Sequence, residues 1–301
     1  MNTPAIPRRA ALKTLAGTTA LGLMGEGATA QSQSGATGPA LYRVSNGRIN
    51  QSVVAWCFNP MPVPELARHS SRLGLKSVEL CDPKFWPELK QLGLTCAIAG
   101  SHGFAKGFAH VEEHEACLEL LRKRIGECAA AGVDRVITFS GFRRGISDDD
   151  GIRNMVDGLK KIVGLAERSR VTLCLEMLNS RVNENMKGHP DYFCDDIPRT
   201  VEVCRRVGSE RLKVLFDIYH VQIMHGDLIR LMKQHAAFIG HVHTAGVPGR
   251  NEIDDTQEIN YPPLMRTLLE LGYTGYVGQE FIPAREDKIA SLAQGVRICD
   301  V

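Results

Sequence analysis

Four short apolar runs in this chain each end on a side chain that binds hard metal ions. Leu173-Cys174-Leu175 runs into Glu176, Val214-Leu215-Phe216 into Asp217, Gly240-His241-Val242 into His243, and Tyr276-Val277-Gly278-Gln279 into Glu280. Each run has strand character, and each is followed by a loop and then a helical pattern. The four ligands lie 41, 26 and 37 residues apart, gaps that bracket one βα unit of ~30 residues or more. Spacing of that kind returns the chain to the same end of a parallel sheet for every strand, so the four side chains share one edge.

The alternation extends through the whole chain. Eight strand candidates are rich in β-branched or aliphatic residues: 51–57, 77–80, 95–99, 135–139, 172–176, 213–217, 239–243 and 275–280. Helical periodicity fills the gaps. His114 to Ala131 places Leu118, Leu121, Ile125 and Cys128 on one face, and Ser147-Asp148-Asp149-Asp150 reads as a cap opening a helix through Met155, Leu159 and Ala166. Helices are also expected over Val63 to Leu73, from Asp196 to Gly208, over Asp227 to Ala236 and over Pro263 to Leu271. Repeated βα units give either an open doubly wound sheet or a closed barrel. No G-x-G-x-x-G follows the first strand. Eight units in ~260 residues favour an α/β fold with a single (β/α)8 TIM barrel, here assigned to residues 47–301. In that architecture catalytic groups sit at the C-terminal strand ends, where the four ligands fall.

The N-terminus reads as a targeting segment. Arg8-Arg9 with Leu12 and Lys13, a weakly apolar stretch to Met24, and Ala28-Thr29-Ala30 form the three parts of a twin-arginine signal peptide over residues 1–30, cleaved after Ala30. The expected location is periplasmic, with the twin-arginine export machinery as a partner. A Ser/Gly/Gln-rich start marks residues 31–46 as a linker. The net charge of +2, with no Lys/Arg cluster, leaves no electrostatic footprint for nucleic acid. A homo-oligomer stays open. Nine cysteines in an exported chain invite disulfides. However, Cys57, Cys96, Cys174 and Cys204 fall at apolar-face positions, where cysteine acts as a small hydrophobe; mostly free thiols are expected.

Three carboxylates at one barrel mouth repel one another unless a cation or protons intervene. A divalent metal held by Glu176, Asp217, His243 and Glu280 is the simplest compensation. Oxygen donors with one imidazole and no thiolate suit Mn²⁺ or Mg²⁺ first, with Co²⁺ or Zn²⁺ as alternatives. Such an ion polarises the carbonyl of an α-hydroxycarbonyl compound and stabilises an enediolate, while Glu176 and Glu280 on either side exchange the proton. Transfer between adjacent carbons is isomerisation; transfer across one carbon is epimerisation. The same ligands could instead activate water, and a lyase or hydrolase acting on oxidised sugars, or a barrel that binds carbohydrate without turnover, stays open at this point. His220, three residues past Asp217, is a substrate-binding candidate, as are Arg250 in the Pro-Gly-Arg loop and His102 after the 95–99 strand. His241 points to the same side as His243, one layer deeper. Glu79 divides evenly between a solvated strand end and a pocket role.

Several motifs carry a resemblance. F-D-I-Y-H at 216–220, I-G-H-V-H-T-A-G at 239–246, the P-G-R loop at Arg250, E-I-N-Y at 258–261, G-Y-V-G-Q-E-F ending at Phe281 and L-E-M-L-N at 175–179 are similar to hydroxypyruvate isomerases and to the wider xylose isomerase-like sugar isomerase/epimerase barrels. The resemblance implies Glu176, Asp217, His243 and Glu280 as metal ligands. It also implies Glu176 and Glu280 as the acid/base pair, with His220 and Arg250 on a small sugar or hydroxy-keto acid substrate. Two departures stand out. Hydroxypyruvate isomerases have Gln where this chain has His243, whereas ketose 3-epimerases have His; and the loop Asn251–Gln257 differs from the shorter glycine-rich pattern. The trinuclear-zinc abasic-site endonucleases of the same superfamily add a D-x-H in this region that is absent here.

Overall fold

A single sheet of seven parallel strands runs through the computed structural model, which describes residues 41–301. The expected signal peptide and linker residues 31–40 lie outside the described residues. The strands are β1 (Asn50–Val54), β2 (Ser77–Glu79), β3 (Arg135–Thr138), β4 (Thr172–Glu176), β5 (Leu212–Asp217), β6 (Ile239–Thr244) and β7 (Tyr276–Gln279), in the order β2-β1-β7-β6-β5-β4-β3. Nine helices surround them among the described residues: α1 (Val63–Leu73), α2 (Trp86–Gln91), α3 (His114–Ala131), α4 (Asp148–Ser169), α5 (Ile197–Val207), α6 (Ile218–Met224), α7 (Leu228–His235), α8 (Tyr261–Glu270) and α9 (Lys288–Cys299).

The third of the eight expected strands, 95–99, is not a strand but two single bridges, Ser77 with Thr95 and Ala99 with Val136. The segment still joins the two edges of the sheet. Val78 and Leu80 N–H donate to Thr95 and Ile98 carbonyls on one side, and Ile137 N–H donates to Ala99 on the other. A side chain takes one of the bonds a ladder would use, since Ala97 N–H donates to Ser77 Oγ at 2.7 Å; the Cys96 thiol, at 3.2 Å, shares Ile98 O with Leu80 N–H. The TIM barrel is therefore closed by an irregular seam between β2 and β3.

Helix boundaries follow the sequence signals. Ser147 Oγ accepts Asp150 N–H at the start of α4, and Asp196 accepts Arg199 N–H at the start of α5, ahead of Pro198 at the helix start. Gly74, Gly132 and Gly208 terminate α1, α3 and α5 in the left-handed region. The short helices α2 and α6 and the final helix α9 were not part of the sequence expectation. No helix among the described residues is long and apolar enough to cross a membrane. All nine cysteines are buried and unbridged.

Residues 41–46, which composition assigns to the linker, are tied to the chain's C-terminal end. The Asp300 carboxylate accepts from Tyr42 Oη at 2.6 Å and from the N–H groups of Ser45, Asn46 and Gly47 at 2.7, 2.9 and 2.9 Å.

Candidate metal centre and active site

Strand geometry brings the four expected ligands together. Glu176 and Asp217 end β4 and β5, His243 is the penultimate residue of β6, and Glu280 directly follows β7. One donor atom from each lies within 4.8 Å of the others, and all four residues are buried. Register explains the convergence: Asp217 pairs with His243, while Glu176 pairs with Leu215 and His243 with Gly278, two residues before Asp217 and Glu280, so all four side chains fall on the same face of adjoining strands. Asp217 also opens α6, accepting Tyr219 N–H at 2.8 Å, which leaves its other oxygen facing the cluster.

His243 sits at the middle. Its Nδ1 is 2.8 Å from Glu280 Oε2 and 3.8 Å from Glu176 Oε1. Its Nε2 donates to Glu79 Oε1 at 2.7 Å. Burial works against a charged imidazole, but Glu280 and the other carboxylates around it outweigh that and hold the pKa of His243 well above its ordinary value. Burial raises Glu176, with repulsion from Glu280 adding to it. Asp217 is likewise raised, by burial and by the neighbouring carboxylates. Glu280 goes the other way: His243 and Arg250 pull it below the usual carboxylate range despite its burial.

This donor set fits a divalent metal. Three buried carboxylates and one imidazole converge, and His243 Nδ1 is buried among them with no hydrogen bond of its own. Glu176, Asp217, His243 and Glu280 would hold the ion, and oxygen-rich ligation of this kind suits hard or borderline divalent ions.

The three expected substrate contacts are placed differently from one another. His220 Nδ1 accepts from the Asn179 backbone N–H at 3.0 Å and from its side-chain amide at 2.7 Å. That fixes the proton on Nε2, which has no hydrogen-bond partner and stands 3.5 Å from Asp217 Oδ2. Burial and the nearby Arg250 keep His220 neutral. Arg250 is turned into the cluster rather than standing free in the mouth. Its Nη2 contacts Glu280 at 2.7 Å and Asp217 at 3.2 Å, and its Nη1 donates to Met186 O at 2.6 Å. The guanidinium lies 5.4 Å from each of the Trp56 and Tyr219 rings, leaving Nε without a partner. His102 does not join the cluster: Nε2 bonds Thr138 Oγ1 at 2.9 Å, Nδ1 bonds Lys106 O at 3.1 Å, and Phe108 and Phe139 pack edge-on against the ring. Both of its nitrogens are spent inside the protein.

Other residues at the site carried weaker sequence signals or none. Glu79 is fully buried and accepts from both His241 (3.0 Å) and His243; His241 thus lies beneath His243 as the strand period requires. Asn179 sits three residues past Glu176 in the L-E-M-L-N motif. His189 packs at a tilt against Phe104, with ring centres 4.2 Å apart, and lies 6.1 Å from the His220 ring, with burial pushing its pKa down to about 4. It comes from a loop with no strand or motif to flag it.

Comparison with known proteins agrees with the barrel fold. The profile described as xylose isomerase-like TIM barrel matches residues 67–298. A human protein named "Putative hydroxypyruvate isomerase" is 27% identical over 261 residues, covering 85% of this chain and 87% of that protein. The 2-oxo-tetronate isomerase of Cupriavidus necator is 35% identical over 153 residues, 50% of this chain and 56% of its own length. A solved structure described as AP endonuclease, family 2, from Brucella melitensis superposes with a TM-score of 0.70 at 27% identity, covering 82% of this chain and 98% of that one.

Proposed function

This chain belongs to the xylose isomerase-like TIM barrel family, and from that premise we propose that it is a divalent-metal-dependent isomerase of a small sugar or hydroxy-keto acid. The observation that carries the reading is the pair Glu176 and Glu280. Coming from β4 and from the end of β7, they close on His243 Nδ1 in one buried cluster, at 3.8 and 2.8 Å, with Asp217 and His243 on the two strands between them. Two carboxylates that flank a bound substrate can take and return its protons. Glu280 takes the proton from the carbon beside the carbonyl, and Glu176 delivers one to its neighbour. The metal, Mn²⁺ or Mg²⁺ by donor type, supplies electrophilic polarisation of the substrate oxygens when bound. His220 offers its Nε2–H, and Arg250 its free Nε–H, to the oxygen on which charge develops. Burial of the whole set keeps water from the reacting carbon.

The relatives named for hydroxypyruvate and 2-oxo-tetronate support a hydroxy-keto acid substrate. His243 supports the sister reaction, epimerisation at one carbon, since it stands where the resemblance assigns His to ketose epimerases. An endonuclease reading has less behind it, because the chain is nearly neutral and lacks the added D-x-H. The twin-arginine pattern at Arg8-Arg9 supports export to the periplasm. The test is a panel of ketoses and hydroxy-keto acids incubated with metal-loaded protein in D2O. Isomerisation or epimerisation leaves solvent deuterium on carbon in the recovered product; turnover without carbon-bound deuterium points to hydrolysis and rejects the proposal.

A further inference from the structure

We infer that Glu79 is a positioning residue that locks the His243 ring with Nδ1 facing the metal ligands, an inference that rests on the metal-centre reading above. Glu79 ends β2, and β1 and β7 separate that strand from β6 in the sheet. Its side chain therefore reaches across the barrel interior to meet His243. Among the described residues it has no Lys or Arg partner; its oxygen Oε1 takes two imidazole donors, His243 Nε2 at 2.7 Å and His241 Nε2 at 3.0 Å. A fully buried carboxylate is costly unless its charge is matched by such donors. The local alternative, a solvated strand terminus, does not describe a residue with 0% exposure.

The route between strands is kept open by Gly278. A Cβ there would lie 2.2 Å from Glu79 Oε1 and 2.9 Å from His243 Cδ2. A glycine in mid-strand marks a close approach of this kind, and here the approaching group is the Glu79 carboxylate. With Nε2–H committed to Glu79, Nδ1 is the one ring nitrogen left for a ligand role, and it points at Glu280 and Glu176. An imidazole held by a carboxylate on its far nitrogen is fixed in tautomer and orientation, and is a more basic donor. His241 holds the carboxylate from below, so that two donors on separate residues define its position.

The experiment uses Co²⁺ as probe. Wild type, Glu79→Ala and Glu79→Gln are compared for Co²⁺ affinity by calorimetry and for the visible ligand-field spectrum, with the metal-free melting temperature as the check on folding. Glu79→Ala is expected to weaken Co²⁺ binding about 10- to 100-fold and to change the spectrum. Glu79→Gln, whose amide oxygen still accepts from Nε2–H, recovers a large part of that loss. An alanine variant with wild-type affinity and spectrum overturns the inference alone; a wild type that binds no Co²⁺ removes the metal-centre reading and this inference with it. Should the alanine variant not fold, the ¹⁵N shifts of His243 in Zn²⁺-loaded wild type decide the point. Protonated Nε2 with metal-bound Nδ1 is the expected state, and the opposite assignment overturns it.

Discussion

Replacing Arg250 by methionine tests the electrostatic balance of the cluster most directly. The guanidinium is 2% exposed and touches two carboxylates, at 2.7 Å from Glu280 and 3.2 Å from Asp217. At an effective dielectric of ~20, each contact is worth about 5–6 kcal/mol before desolvation. Desolvation of the guanidinium cancels much of that, and removal of one partner from a buried ion pair costs a net ~3–5 kcal/mol. Methionine fills much of the same volume, so the loss is mainly of charge, together with the stacking on Trp56 and Tyr219. For a domain of this size, ~2–4 °C of melting temperature accompanies each kcal/mol, so Arg250→Met should melt about 6–20 °C below wild type in chelator. Added Mn²⁺ should raise the variant more than the wild type, because the ion supplies the positive charge the two carboxylates have lost. The assay is a thermal melt by circular dichroism with EDTA and again with Mn²⁺. A variant within 2 °C of wild type in EDTA would refute the reasoning, since the carboxylates would then need no counter-charge.

Three further outcomes are expected. Glu280→Gln should lower kcat by about 10²- to 10⁴-fold while calorimetry still detects Mn²⁺; unchanged turnover on a confirmed substrate removes Glu280 from proton transfer. His220→Ala should reduce kcat more than KM, because a donor to developing charge acts in the transition state; a pure KM effect contradicts that role. Asp300 is drawn down to about 2 by the Tyr42 hydroxyl and three backbone N–H groups, against the effect of its burial. Its folded pKa lies below the unfolded one, so its contribution, of order 2 kcal/mol, is full above about pH 4 and is lost as pH falls through about 2. Asp300→Asn should therefore destabilise at neutral pH and differ little from wild type near pH 2; equal stability at both pH values would show that the carboxylate does not tie the N-terminal segment down.

The site was legible in the sequence to the extent that it is local. Glu176, Asp217, His243 and Glu280 each follow an apolar run, and a strand end in a parallel barrel has one destination. Tertiary folding was needed for groups whose partners are remote. Glu79 bonds histidines 162 and 164 residues away, and no periodicity links them. The loop position of Arg250 marks it as a substrate-binding candidate and gives no sign of its turning inward; the pull of Asp217 and Glu280 turns it into the cluster. His102 is a substrate-binding candidate by its place after the 95–99 run, yet Thr138 and the Lys106 carbonyl use both its nitrogens. The 95–99 run has strand composition, but Ser77 Oγ takes the Ala97 N–H, and only two bridges remain.

Sequence alone therefore determined seven of the strands, six of the nine helices among the described residues and the types of candidate ligand at the strand ends, because these depend on periodicity within a few residues. Closure of the barrel decided which nitrogen of His243 faces the carboxylates, which cation balances them and which histidine keeps a free donor. Those choices are made by charges that meet across the barrel interior, where burial makes every unpaired group expensive.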